Sequence, residues 1–343
     1  MRYLVTGGAG FIGSHLVDAL VARGDSVVIL DDLSTGRLEN VERALDSGVV
    51  EFVEGSVIDE DLVGRCLARV DRCFHLASAV GVKLIVENSL ESMLRNVRGL
   101  DVVIGAAARC ETRLLFTSTS EIYGKGSEEA LEENADRLLG SPWTPRWSYA
   151  TAKTFGETIA CGYNRERGAE MIVTRLFNTV GPRQTGTYGM VLPRFVRQAV
   201  AGEDVTVYGD GAQSRCFAHV FDSVRALLLL MDTDLAVGNV YNVGSSTEIP
   251  IVELARRVIE RSRSGSEIRF VPYEDAYGDG FEELGRRKPD TTAVRRLSGW
   301  VPELTVEDAI EDVIAHERAR VAASRRGRDG VPQTEATEGA SVG

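Results

Sequence analysis

Tyr3-Leu4-Val5-Thr6-Gly7-Gly8-Ala9-Gly10-Phe11-Ile12-Gly13 carries a short apolar run into a cluster of glycines and on into a second apolar stretch. Tyr3 to Thr6 reads as a buried strand and the residues from Phe11 as a helix. Gly8, Gly10 and Gly13 satisfy G-x-G-x-x-G, and Gly7 adds an earlier glycine. Such glycines let the backbone turn tightly and approach a pyrophosphate, while the following helix offers free N–H groups and the positive end of its dipole. Eighteen residues past Gly13 (31 minus 13) the next apolar run ends in Asp31-Asp32. A carboxylate there can accept hydrogen bonds from the adenosine ribose hydroxyls. It also repels a 2′-phosphate, so the expected cofactor is NAD rather than NADP. An isolated glycine cluster can mark no more than a tight turn; strand, glycines, helix, strand and acid in one unit favour the nucleotide.

Outward from this unit the same alternation continues. Val27 to Leu30, Val49 to Val53, Cys73 to Leu76, Leu114 to Thr117 and Glu170 to Leu176 read as strands, and helices are expected to begin near Phe11, Arg37, Asp59, Leu90 and Ser148. Near-continuous apolar strands alternating with helices imply a parallel sheet covered on both faces. The expected fold class is α/β: a Rossmann-type doubly wound parallel sheet over residues 1–176, with a smaller C-terminal α/β domain over 177–318. Residues 319–343, rich in Ala, Ser, Gly, Thr and Arg without apolar periodicity, are expected to be a disordered tail.

Composition removes several function classes. The 343 residues are 43% hydrophobic and 26% charged, the balance of an ordinary globular protein. A net charge of −12 opposes nucleic acid and anionic membrane, and no targeting or membrane-spanning run is seen. Five cysteines, odd in number and without a C-x-x-C pair, suit free thiols in a reducing cytoplasm. Four histidines without H-x-x-x-H or H-E-x-x-H spacing argue against a metal site.

Ser148-Tyr149-Ala150-Thr151-Ala152-Lys153 places a tyrosine and a lysine four apart, on one helical face. An ammonium beside a phenol is expected to lower its pKa and make it a usable acid/base. On their own, a Tyr and a Lys at this spacing are usually a packed ring beside a solvated charge.

Gly7 to Gly13, Asp31, Tyr149 and Lys153 together resemble the extended short-chain dehydrogenase/reductases that modify nucleotide sugars. The resemblance extends to His75-Leu76-Ala77-Ser78, Asn96, Thr117-Ser118-Thr119-Ser120-Glu121-Ile122-Tyr123-Gly124, Leu176 to Arg183, Val207-Tyr208-Gly209, Arg215 and Arg286-Arg287-Lys288-Pro289-Asp290. It implies that NAD is held by Gly7, Gly10, Phe11, Ile12, Gly13, Asp31, Asp32, Ser34, Thr35, Gly36, Ser56, Val57, Leu76, Ala77, Ser78, Asn96, Thr117, Tyr149 and Lys153. Thr119, Ser120, Glu121, Tyr149 and Lys153 are the implied catalytic residues, Thr119 sharing the 4-hydroxyl proton of the substrate with Tyr149. Asn178, Val191, Tyr208, Arg215 and Arg287 are implied to bind a UDP-sugar, guanidinium forks suiting phosphate oxygens. Many relatives carry an acid after the glycine of the third strand's loop; Gly55-Ser56-Val57 departs from that. The resemblance also implies a homodimer joined through helices near Leu90–Arg109 and Ser148–Arg167.

All these enzymes begin by oxidising C4 of the sugar, so the common motifs do not choose the reaction. Thr119-Ser120-Glu121, with Phe177 to Arg183 and Arg287 to Asp290, is similar to UDP-glucuronate decarboxylases, which give a UDP-4-keto-pentose or UDP-xylose. The alternatives are a UDP-glucuronate or UDP-hexose 4-epimerase, a sugar-nucleotide 4,6-dehydratase, which in one large group uses adjacent Asp and Glu rather than Ser120-Glu121, and a non-catalytic NAD or nucleotide-sugar sensor.

Overall fold

The computed structural model describes residues 1–79, 89–126, 129–186, 190–277 and 287–329. Tyr188, Arg286 and the segment 330–343 therefore lie outside the described residues. Thirteen strands are described: β1 Arg2–Thr6, β2 Ser26–Asp31, β3 Val50–Glu54, β4 Arg72–His75, β5 Arg113–Thr119, β6 Met171–Leu176, β7 Thr179–Val180, β8 Val205–Tyr208, β9 Ser214–Cys216, β10 Ala218–His219, β11 Val240–Val243, β12 Glu248–Pro250 and β13 Ile268–Val271. The helices are α1 Phe11–Ala22, α2 Glu42–Leu45, α3 Glu60–Leu67, α4 Ser89–Arg109, α5 Trp147–Arg167, α6 Val191–Ala201, α7 Val220–Asp232, α8 Ile251–Ser262, α9 Tyr273–Tyr277, α10 Thr292–Ser298 and α11 Val306–Asp329.

Seven strands form one sheet in the order β11-β6-β5-β4-β1-β2-β3, every neighbouring pair parallel. The chain winds from β1 outward through β2 and β3, then returns to β4 and continues the other way. That reversal opens a crevice at the carboxyl ends of β1 and β4, where doubly wound sheets bind ligands. Strand residues alternate between two cores, as the two-residue period requires. Tyr3, Val5, Val27 and Ile29 pack with Leu16 of α1 and Leu227 of α7, while Leu4, Val28 and Leu30 pack with Val63 of α3 and Leu100 and Val103 of α4.

A third core, with Phe195 of α6, Val205 and Val207 of β8, Leu254 of α8 and Ile310 of α11, belongs to the C-terminal part. The sheet does not end at residue 176, however. Its edge strand β11 comes from 240–243 and α7 covers one face, because the apolar Val220, Val224, Leu227 and Leu230 find their burial there.

Two sequence expectations are corrected. The helix expected from Arg37 is a 3-10 turn, Leu38–Asn40, followed by the single turn α2. The Arg37 N–H and the Asn40 side chain both donate to Ala9 O, at 3.0 and 2.9 Å, tying this segment to the glycine turn instead of a long helix. The tail expected from 319 is helical as far as Asp329, since good helix formers such as Arg and Ala continue α11 without needing burial. Arg318 donates to Ser262 O at 2.8 Å and anchors it. Among the described residues, no helix is long and apolar enough to cross a membrane.

Candidate active site

The crevice is a single cleft whose floor runs from the β1–α1 turn to the end of β5. At one end lie Gly7, Gly10, Phe11, Ile12 and Gly13. A Cβ at Gly13 would sit 2.1 Å from Gly7 O, so only glycine allows α1 to start this close to the turn. Asp31, ending β2, is 7% exposed. Its carboxylate accepts from Ala9 N–H at 3.0 Å and Leu33 N–H at 2.9 Å. Burial pushes its pKa up, opposed by those two N–H bonds. Asp32, Ser34, Thr35, Ser56 and Val57 line the same end, and Gly36 backs it, leaving no room for a Cβ beside Asp31 Oδ1, 2.9 Å away.

Leu76, Ala77, Ser78, Asn96 and Thr117 form the middle. The Ser78 hydroxyl donates to Asn96 Oδ1 at 3.1 Å, and Asn96 in turn holds both polar groups of Ala79, at 2.8 and 3.0 Å. The same Ser78 hydroxyl opposes the rise in the pKa of the Tyr149 phenol.

Tyr149 and Lys153 enter the cleft from α5, buried at 8% and 2% exposure. The sequence expectation of a lowered phenol pKa is reversed. Burial and then the Glu121 charge hold the Tyr149 phenol well above its usual value. Burial pushes Lys153 down to about 7, opposed by Glu157. Lys153 Nζ donates to Thr117 O at 2.9 Å. Thr119 Oγ1 accepts from Glu121 N–H at 3.2 Å and caps the 3-10 turn Ser120–Tyr123.

Beyond this turn the cleft is charged. Glu121 Oε1 lies 3.7 Å from both Arg146 Nη2 and Arg287 Nη1. Arg287 also reaches Ser120 Oγ at 3.4 Å and Asn178 Oδ1 at 3.5 Å. Thr119, Ser120, Glu121, Tyr149, Lys153, Asn178 and Arg287 thus share one cleft, as the motifs placed them.

Three residues do not line it. Val191 opens α6 and leaves Met190 facing the cleft. Tyr208 lines a separate cavity, its ring covered by Arg194 at 3.7 Å. Arg215 is buried on β9 opposite Ile249 and donates to Ser214 O at 2.8 Å. Sequence reasoning missed Arg95, which lines the cofactor end 3.9 Å from Asp32, and Arg146 beside Glu121. Each is one arginine outside any motif, visible only after α4 and α5 pack. His75 donates or accepts no charge here: burial and then Lys153 push it down to about 3, and its Nδ1 meets the Thr6 hydroxyl at 2.7 Å.

The family profile described as "NAD dependent epimerase/dehydratase family" matches residues 3–244. A UDP-N-acetyl-alpha-D-glucosaminuronate decarboxylase from Bacillus cytotoxicus is 40% identical over 314 residues, covering 91% of this chain and 96% of that protein. UDP-glucuronic acid decarboxylase 1 from Xenopus tropicalis is 35% identical over 92% of this chain and 72% of its own length. The dTDP-glucose 4,6-dehydratase of Streptomyces venezuelae, solved with NAD bound, superposes with a TM-score of 0.85 at 27% identity, over 94% of this chain and 98% of that one.

Proposed function

The chain belongs to the NAD dependent epimerase/dehydratase family, and on that premise we propose that it decarboxylates UDP-glucuronate. The observation that carries this reading is Glu121 beside Ser120 at the end of β5, flanked by Arg146 and Arg287 and adjacent to Tyr149. Relatives named for decarboxylation of UDP-hexuronates at 35 to 40% identity support it. Bound NAD would lie along Gly7 to Gly13 with its adenosine at Asp31, and supplies reversible hydride acceptance.

As a phenolate, a form that the Lys153 ammonium and the positive charge of bound oxidised NAD would favour against the burial that opposes it, Tyr149 takes the proton of the 4-hydroxyl while hydride leaves C4, and the 4-ketone makes the C6 carboxylate a β-keto acid. The C5–C6 bond then breaks, carbon dioxide leaves, and its electron pair passes into an enolate. Ser120 and Glu121 stand where C5 is protonated, and Arg287 fixes the diphosphate. The same preparation should be a homodimer in solution, since Leu90 and Leu94 on α4 and Phe155 on α5 expose 70, 57 and 39% of their surface on one helix pair.

The test is incubation with UDP-glucuronate and, separately, its 2-acetamido counterpart. Carbon dioxide and a UDP-pentose or UDP-4-keto-pentose are expected from UDP-glucuronate, with Glu121→Gln slowing release about 10²-fold or more while NADH absorbance persists. Return of UDP-galacturonate with its carboxylate intact would identify a 4-epimerase instead. Turnover of the acetamido sugar alone would move the substrate but not the reaction.

A further inference from the structure

Arg175 on β6 and Glu157 on α5 are each 1% exposed, a charged pair in the interior outside the cleft. Burying such a pair is weak evidence of stabilisation, because apolar residues of similar volume often serve stability as well. Its hydrogen bonds show what it connects. Arg175 donates from Nε and Nη2 to the two Glu157 oxygens at 3.0 and 2.8 Å, and from Nη1 to Tyr123 OH and Glu133 O at 2.7 Å each. Accepting from Arg175, Tyr123 OH gives its own proton to Asn242 Oδ1 at 2.8 Å. Asn242 Nδ2 donates to Leu131 O at 2.8 Å and Asp290 O at 3.2 Å, and Leu131 N–H donates to Lys288 O at 2.9 Å.

One chain of bonds therefore joins three pieces of backbone. These are α5 one turn past Lys153, the 3-10 turn that holds Glu121 two residues before Tyr123, and the stretch Arg287 to Asp290. The direct contacts between Arg287 and Ser120 or Glu121, at 3.4 and 3.7 Å, are too long to define their own geometry. The bond chain behind them ties together the backbone that carries both. We propose that Tyr123, held by Arg175, is a positioning residue that sets Glu121 against Arg287. Tyr123, Arg175 and Asn242 do not line the cleft, so they act through the segments they hold.

This inference rests on the decarboxylase reading for its kinetic test and is independent of it for its binding test. In the NAD-loaded enzyme mixed with UDP-glucuronate, Tyr123→Phe should leave C4 oxidation almost unchanged and slow carbon dioxide release on the order of 10-fold or more, with NADH persisting. Added to Glu121→Gln, it should cost little further, as expected of two residues acting through one group. Arg175→Lys, which keeps a cation beside Glu157 but loses the bond to Tyr123, should show the same split. Equal slowing of both steps, or independent multiplication of the two effects, would make Tyr123 a structural residue and overturn the proposal. Calorimetry with UDP alone supplies the second arm: Tyr123→Phe should weaken UDP in the unmutated chain and not in Arg287→Ala. Equal weakening in both backgrounds overturns the proposal. Should the unmutated enzyme not consume UDP-glucuronate, the substrate reading fails and this binding cycle alone decides the positioning role.

Discussion

At the glycine end of the cleft, Asp31 is buried and held by N–H bonds of 3.0 and 2.9 Å, whereas at the far end Arg287 meets Glu121 and Ser120 only at 3.7 and 3.4 Å. The first end is complete before any ligand arrives. Its backbone donors and its carboxylate acceptor come from one βαβ unit, so the covalent chain itself holds them together. The second end is assembled from β5, α5 and residues 146, 178 and 287, and its charges meet at longer distances than the bonds at Asp31. Preorganisation is concentrated where the cofactor is held, and adaptability where the sugar changes shape during reaction.

The largest test of this contrast removes one hydroxyl at the junction of the two ends. Tyr149→Phe should reduce C4 oxidation by about 10²- to 10⁴-fold while NAD still binds, because the glycine end does not depend on the phenol. Stopped-flow absorbance of bound NADH together with calorimetry of NAD binding checks it; loss of NAD binding would show that the ends are not separately built.

A smaller effect is expected at the preassembled end. Asp31→Ala takes away an acceptor that holds Ala9 and Leu33 and that faces the adenosine ribose, and should weaken NAD by roughly 10- to 100-fold, on the scale of a charged hydrogen bond. It should also narrow the preference over NADP. Titration with both cofactors gives the ratio, and an unchanged ratio would show that the discrimination lies elsewhere, Asp32 and the Arg95 beside it being other charges at this end.

The smallest expected effect concerns Lys153, whose pKa burial lowers from 10.5 to about 7 in the folded chain. Between pH 7 and 8.5 the unfolded chain then binds more protons at this residue, so its contribution to stability rises with pH, by at most about 1.4 kcal/mol per unit. Below pH 7 both states are protonated and the slope vanishes. The raised cysteines contribute oppositely, so the measurement is the difference in urea midpoint between the NAD-free protein and Lys153→Met at each pH. No pH-dependent difference would mean that the ammonium is solvated in the folded chain.

The contrast also separates what was legible early. Gly13 and Asp31 could be read from spacing because short-range backbone geometry is the whole of their chemistry. Arg146 carries no such signature: its relation to Glu121 exists only once α5 is laid against the end of β5. Tyr208 and Arg215 were placed by motif at the substrate, yet one lines another cavity and the other is buried on β9. The helix through Asp329 escaped a search for apolar periodicity because helix propensity alone extends it.

By itself, the sequence determined which segments are strands, the glycine turn and its acid, and the helix bearing Tyr149 and Lys153, since each is set by a pattern of residues close together in the chain. Only the tertiary structure decided that β11 closes the sheet from beyond residue 176 and that Glu121 lies between two guanidiniums. It alone also decided that burial, by stripping water from both groups, raises the Tyr149 phenol and lowers the Lys153 ammonium; desolvation depends on every element packed around a residue, and no local pattern records it.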